Sequence, residues 1–253
     1  MQFTYFKLLS SIFIAFLLFF SVAGCNKKDE TQLNAAPVIY QPAPNLWEGL
    51  IAHYPFDGDA LNASDKSLNA NPNRAIKYVP GVKGQAIYMT GRGVTGTGGG
   101  HVLLPNYKFS QMKEFSLSLW VKEDGRSYPH GESYIFFGDH NAGWLGLSRF
   151  SNGPVVFKVG TKGISVPFEP GDVKKFVHYC LTYDQGTLKA YKNGELKGSQ
   201  QDAVRIGINR GGLGIHWWSR GRGVSTRLIG AMDDLRIYNR ALKAEEVAML
   251  LKP

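Results

Sequence analysis

The residues best suited to chemistry in this chain gather in one stretch. Gly211 to Arg227 reads Gly-Gly-Leu-Gly-Ile-His-Trp-Trp-Ser-Arg-Gly-Arg-Gly-Val-Ser-Thr-Arg. It sets Trp217, Trp218, Arg220 and Arg222 close together, beside His216. Flat indole faces stack on the apolar C–H surfaces of sugar rings, and guanidinium forks pair bidentately with carboxylate or sulfate. With Trp144, Arg149 and Arg126, these side chains compose a candidate ligand-binding surface for an acidic glycan. The competing reading has one of the two adjacent tryptophans packing inward to anchor the loop, with the arginines left as a solvated face.

The sequence spells no recognisable catalytic set. Glycoside hydrolysis commonly needs two carboxylates flanking the scissile bond. Glu114, Glu123, Asp124 and Glu132 fall instead at strand ends and turns. His178 and Tyr179 are adjacent in a strand pattern, so they point to opposite faces and cannot act as a pair. No nucleophile elbow is present. Gly91 to Gly100 is glycine-rich, but no Lys-Ser/Thr pair follows it, which argues against a phosphate cradle. It reads as a loop or a bulged edge. No catalytic residue is assigned, and the protein is not expected to be an enzyme.

The elements that must position the aromatic and basic residues are strands. Phe115-Ser116-Leu117-Ser118-Leu119-Trp120-Val121-Lys122 alternates with period two, which places Phe115, Leu117, Leu119 and Val121 on a buried face. Leu50, Ala52, Tyr54 and Phe56 alternate with Ile51 and His53 before an Asp57-Gly58 turn. Residues 133–137, 144–150, 155–159 and 176–183 read as further strands. Leu188 to Lys192 then meets Asn193-Gly194, the strongest two-residue hairpin signal. Near the end, paired Asp233 and Asp234 lead into Leu235-Arg236-Ile237-Tyr238 and a short amphipathic helix. Strands at this spacing with one late helix define an antiparallel sandwich.

Composition sets the outer limits. The chain has 253 residues and only two cysteines, Cys25 and Cys180, so no disulfide framework exists. The net charge of +9 favours acidic partners. Residues 1–24 read as a signal peptide: Lys7 precedes the apolar run Ile12 to Phe20, which is too short to span a bilayer. Ser21-Val22-Ala23-Gly24-Cys25 resembles the lipobox of bacterial lipoproteins, which makes Cys25 the expected lipidation site. Asn26-Lys27-Lys28-Asp29-Glu30 resembles a surface-export signal. Residues 25–45 form a proline-containing tether, and residues 46–253 form one folded domain. The expected location is the bacterial cell envelope: anchored to the outer membrane through lipidated Cys25, on the cell surface if the export signal acts. Nucleic acid is not expected as a partner for such a protein.

Three motifs occur in order: Gly-Leu-Ile-Ala-His-Tyr-Pro-Phe-Asp-Gly at 49–58, Phe-Ser-Leu-Ser-Leu-Trp-Val at 115–121, and Asp-Asp-Leu-Arg-Ile-Tyr-Asn-Arg-Ala-Leu at 233–242. Together they resemble the laminin-G-like family of concanavalin A-type jelly rolls, over about Leu46 to Pro253. The resemblance implies an all-β antiparallel jelly-roll sandwich with a short C-terminal helix. It also implies a structural Ca²⁺ where first and last strands meet, with Asp57, Asp233 and Asp234 as ligands, since hard oxygen donors suit that ion. The alternatives are an Asx turn at Asp57-Gly58 and a hydrogen bond from a neighbouring loop to Asp234. The expected function is non-catalytic carbohydrate binding, with acidic glycans preferred. The alternatives are a protein-interaction or adhesion module whose partner is an envelope protein, and a divergent polysaccharide-cleaving enzyme.

Overall fold

The structure is a computed structural model that describes residues 44–91, 99–125, 132–139, 143–149, 153–203, 211–217, 224–226 and 228–252. The residues read above as a signal peptide, Cys25 and nearly all of the expected tether lie outside the described residues, as do Arg126 and residues 92–98 of the glycine-rich stretch. The chain divides at Pro42–Ala43, and the description below is of the second unit alone.

Among the described residues, seventeen strands and one α-helix follow one another. In the first half they are β1 (Leu50–Tyr54), β2 (Asn71–Pro72), β3 (Lys77–Pro80), β4 (Gln85–Thr90), β5 (Val102–Leu104), β6 (Glu114–Glu123), β7 (Glu132–Asp139) and β8 (Gly143–Arg149). Then come β9 (Val155–Gly160), β10 (Lys162–Val166), β11 (Val177–Asp184), β12 (Thr187–Lys192) and β13 (Glu195–Gln200). The chain closes with β14 (Gly211–Leu213), β15 (Ile215–Trp217), β16 (Val224–Thr226), β17 (Ile229–Tyr238) and helix α1 (Ala244–Met249).

Two antiparallel sheets form a sandwich. One runs β13-β12-β11-β6-β17-β4-β3, with β1 also paired to β17; the other runs β10-β9-β8-β7-β14-β5-β2. Strand β17 is long enough to hold two neighbours along one edge: Ile229–Met232 pair with β4, and Leu235–Tyr238 pair with β1. The first and last strands thus meet at the centre of one sheet.

The period-two pattern in β6 does what it predicts. Phe115, Leu117, Leu119 and Val121 are all 2% exposed or less and face Ile135, Phe137, Leu145, Leu147 and Phe157 of the other sheet within one core. Burial of each such side chain contributes roughly 1.5–3 kcal/mol. Phe109 bridges the layers, edge-on to Phe115 at 5.1 Å and to Phe137 at 4.8 Å. The Asn193-Gly194 pair joins β12 to β13 with φ values of 50° and 79°, the left-handed pair that a tight hairpin of this hand requires.

Helix α1 closes the outer face of the first sheet. Val247 and Leu250, with Leu242 ahead of the helix, pack on Cys180, Tyr191 and Tyr238. Cys180 is fully buried, and burial holds its thiol well above the ordinary range. Glu245 and Glu246 sit in the helix's first turn, where carboxylates oppose the positive end of the helix dipole.

Candidate functional site

Strand β14 lies inside the second sheet, between β7 and β5. The chain leaves it at Gly214, whose N–H donates to the Tyr134 carbonyl at 3.0 Å. It then enters a separate two-stranded ribbon in which Ile215 pairs with Thr226 and Trp217 with Val224. Strand β15 runs beside β7. Trp217 is therefore the last residue of β15, opposite Val224, the first of β16. The connecting residues, with Trp218, Arg220 and Arg222, lie outside the described residues.

Trp144 and Arg149 are buried rather than on the surface, and the expectation that they line a glycan-facing surface is corrected. Alternation along β8 sends Leu145 and Leu147 to the core and Trp144 to the outward side. Yet Trp144 is only 3% exposed. Its ring stacks on Phe136 with centroids 5.4 Å apart, and the Lys158 ammonium lies 5.2 Å from the indole centroid. No open ring face remains there for a sugar.

Arg149 reaches inward. Its Nη1 lies 2.6 Å from Glu123 Oε2, its Nε donates to the Gly153 carbonyl at 3.0 Å, and its guanidinium lies 3.9 Å from the Phe168 ring centroid. The Tyr134 hydroxyl donates to the other Glu123 oxygen. Glu123 comes from β6 and Arg149 from β8, so this ion pair ties the two sheets together. Burial raises the Glu123 carboxyl above its ordinary range, against the pull of Tyr134 and Arg149. Of the other scattered carboxylates, Asp124 accepts from the Tyr88 hydroxyl at 2.5 Å.

Asp57, Asp233 and Asp234 do come together, as expected for a pair of strands meeting, but around a turn rather than a cation. All three hold the β3–β4 hairpin. Asp57 Oδ1 accepts from the Gln85 N–H at 2.7 Å. Asp233 Oδ2 accepts from the N–H groups of Val82 and Lys83 at 2.7 and 3.2 Å, and its Oδ1 accepts from the Asp234 N–H at 2.8 Å. Asp234 Oδ1 lies 2.7 Å from His53 Nε2 and 3.1 Å from Arg236 Nε, and its Oδ2 lies 3.7 Å from the Lys83 ammonium.

This donor set does not fit Ca²⁺. The cation needs six to eight oxygens turned toward one point, whereas these oxygens face N–H groups, a guanidinium, an imidazole and an ammonium. Among the described residues, no group of three or more His, Cys, Asp or Glu side chains is disposed to hold a metal ion. Burial pushes the Asp233 carboxyl up to about 6, against three N–H donors that pull it down. Desolvation raises Asp234 as well, but the His53 hydrogen bond and the Arg236 guanidinium outweigh it and leave that carboxyl at about 2.

A bulge makes the double aspartate possible. Asp233 lies opposite Trp120 and Arg236 opposite Ser118, so Asp234 and Leu235 share one place on the β6 side. Asp234 takes a positive φ of 46°, a conformation Asp tolerates better than most residues. Consecutive aspartates can then serve the same hairpin, which strict alternation would forbid.

A further anchor was not read from the sequence. Arg240 Nε donates to the Glu48 carbonyl at 2.8 Å, and its Nη2 donates to the Asn45 carbonyl at 2.8 Å. The same guanidinium grips Glu246 bidentately at 2.7 and 2.8 Å. The Asn-Arg-Ala-Leu run carried the signal, but the two carbonyls it holds are about 190 residues away in sequence.

Residues 96–248 match the laminin-G-type model of the concanavalin A-like lectin/glucanases superfamily, and the chain belongs to that family. Solved structures share the fold. Domain 4 of AbnA, an extracellular GH43 arabinanase of Geobacillus stearothermophilus determined with arabinotriose, aligns at a TM-score of 0.59 and 24% identity, covering 80% of this chain and 98% of that one. The binding domain of botulinum neurotoxin DC, determined with rat synaptotagmin II, aligns at 0.63 and 15% identity over 80% of this chain. A botulinum neurotoxin type C structure, whose report ties cell entry to interaction with two ganglioside molecules, aligns at 0.63 and 14%. The match spans about half of each of those two neurotoxin chains (51%). No curated protein matches the sequence.

Proposed function

We propose that the protein is a non-catalytic carbohydrate-binding module of the bacterial cell envelope, tethered by a lipid on Cys25. The observation that carries this reading is the placement of Trp217 at the end of a two-stranded hairpin that joins neither main sheet. Trp217, with the Trp218, Arg220 and Arg222 that follow it in sequence, supplies ring faces and charge-assisted donors. The AbnA domain, similar in fold, was determined with arabinotriose, and cell entry of botulinum neurotoxin type C depends on interaction with two ganglioside molecules, which supports a saccharide as the ligand class. The arginines and the charge of +9 support an acidic preference.

The test is a screen of the full chain against immobilised neutral and acidic polysaccharides, beside a Trp217→Ala/Trp218→Ala variant. Binding that disappears in the variant supports the reading. Silence across all saccharides removes it.

A protein ligand is the second reading, favoured by one observation: a neurotoxin binding domain of this fold was determined with synaptotagmin II. Against it, the exposed large apolar side chains of the described residues, Trp47, Leu61 and Leu196, lie on separate elements, whereas protein interfaces centre on a contiguous apolar patch.

A further inference from the structure

A second cleft, of about 360 Å³, lies on the outward face of β11, β12 and β13. The register sets its side chains in two rows. Thr182, Lys189 and Ser199 face one another across the three strands, and Asp184 and Thr187 form the next row. The Thr187 hydroxyl donates to Gln201 Oε1 at 2.9 Å. Alternate residues of the same strands, Leu181, Tyr183, Leu188 and Ala190, fill the core, which fixes the polar set outward.

One wall is the segment Ala241-Leu242-Lys243. Ser116 pins it in place, donating to the Arg240 carbonyl and accepting from the Leu242 N–H, both at 2.9 Å. The wall is thereby held against β6, and Lys243 lines the same cleft as Lys189.

A neighbouring cleft of about 290 Å³ shows the contrast. Its charges are spent on one another: Lys192 Nζ lies 2.5 Å from Asp172 and 2.9 Å from the Pro167 carbonyl, and Lys197 lies 2.6 Å from Glu195. In the larger cleft, among the described residues, neither Lys189 nor Lys243 forms a salt bridge; Arg240 holds Glu246 directly, and the Lys243 ammonium adds only its charge to that carboxylate. The Asp184 carboxylate and Ser199 hydroxyl likewise have no side-chain partner there.

We infer that this cleft binds a carboxylate-bearing sugar unit, as a site separate from the Trp217 hairpin. The inference rests on the saccharide reading above. Lys189 and Lys243 line the cleft without a salt bridge, so both ammonium groups can meet a sugar carboxylate, and charge-assisted hydrogen bonds of this kind are about twice as strong as neutral ones. Asp184, Ser199 and Gln201 supply acceptors and donors for ring hydroxyls. The volume falls within the range of small-ligand sites.

The test titrates the full chain with trigalacturonate, with its methyl ester and with a sulfated trisaccharide. Wild type is compared with Lys189→Gln/Lys243→Gln and with Trp217→Ala/Trp218→Ala, and thermal melts check that each variant folds. Both lysines are exposed, so the melts should coincide with wild type. Trigalacturonate affinity should fall at least tenfold in the lysine variant and on methyl esterification, and should persist in the tryptophan variant. Affinity within twofold of wild type in the lysine variant overturns the inference. So does loss confined to the tryptophan variant, or tighter lysine-dependent binding of the sulfated probe. Neutral glycans captured through the tryptophans without any galacturonate binding would defeat this inference alone. No binding to any saccharide would defeat the saccharide reading itself.

Discussion

Asp233 Oδ2 lies 2.5 Å from the place that a Cβ on Gly81 would occupy. The same atom takes the N–H groups of Val82 and Lys83, so the carboxylate and the missing side chain are two halves of one arrangement. Gly84 repeats it: its φ is +54° and a Cβ there would run into the Asp57 carboxylate. The Gly81-Val82-Lys83-Gly84 turn is glycine-bounded because two aspartates press against it. Gly81→Ala should therefore destabilise the domain by about 1–3 kcal/mol, the usual cost of overpacking. Urea unfolding measures this, and a loss under about 0.5 kcal/mol, the range of neutral surface changes, would contradict the account.

Because these aspartates already hold N–H groups and cations, stability should not depend on calcium. Thermal unfolding with excess Ca²⁺ and with a chelator should give the same midpoint. A ligand that binds only the folded state at a hundred times its dissociation constant adds about 2.7 kcal/mol, so a rise of several degrees with Ca²⁺ would show that the ion does bind there.

Arg149 separates a structural role from a recognition role. Arg149→Met leaves Glu123 buried without its cation, and breaking a buried pair costs about 3–5 kcal/mol. The variant should unfold at lower urea, yet bind saccharide as wild type does at a temperature where both remain folded. Weakened binding with unchanged stability would return Arg149 to the ligand.

His178 should make the domain sensitive to acid. It is fully buried, with Ser118 Oγ 2.8 Å from its Nε2. Burial holds its imidazole down at about 4. The unfolded chain takes up that proton near 6.5, while the folded chain refuses it until about pH 4. The unfolded state thus binds more protons across that window, so stability is complete above about pH 6.5 and falls as pH drops toward 4, by on the order of 3 kcal/mol in all. Urea unfolding at pH 7.5 and pH 4.5 should show a steeper loss in wild type than in His178→Gln. Equal slopes would remove His178 as the cause.

The strands were legible because burial on one face writes a period of two into the sequence. Phe115 to Val121 and the Asn193-Gly194 turn sit where alternation and turn chemistry place them. What alternation cannot say is how deep an outward residue lies. Trp144 faces away from the core and is still covered, and Arg149, at the end of β8, turns to a carboxylate on the opposite sheet. The aspartates were found by type and position, but their partners, backbone N–H groups of a distant hairpin, leave no mark in side-chain spelling. The hairpin of β15 and β16 was hidden because Trp217-Trp218 interrupts its alternation and only three residues on each side pair.

The central claim is that saccharide binds at the Trp217 hairpin. Its most direct measurement is the dissociation constant of one saccharide identified by screening, for wild type and for Trp217→Ala, Trp218→Ala and the double variant, each with a wild-type melting profile. Stacking on an aromatic ring is worth roughly 0.5–1.5 kcal/mol beyond its buried area, so with that area included the double variant should lose at least tenfold in affinity. Affinity within twofold of wild type in the double variant would place recognition elsewhere on the sandwich and contradict the account.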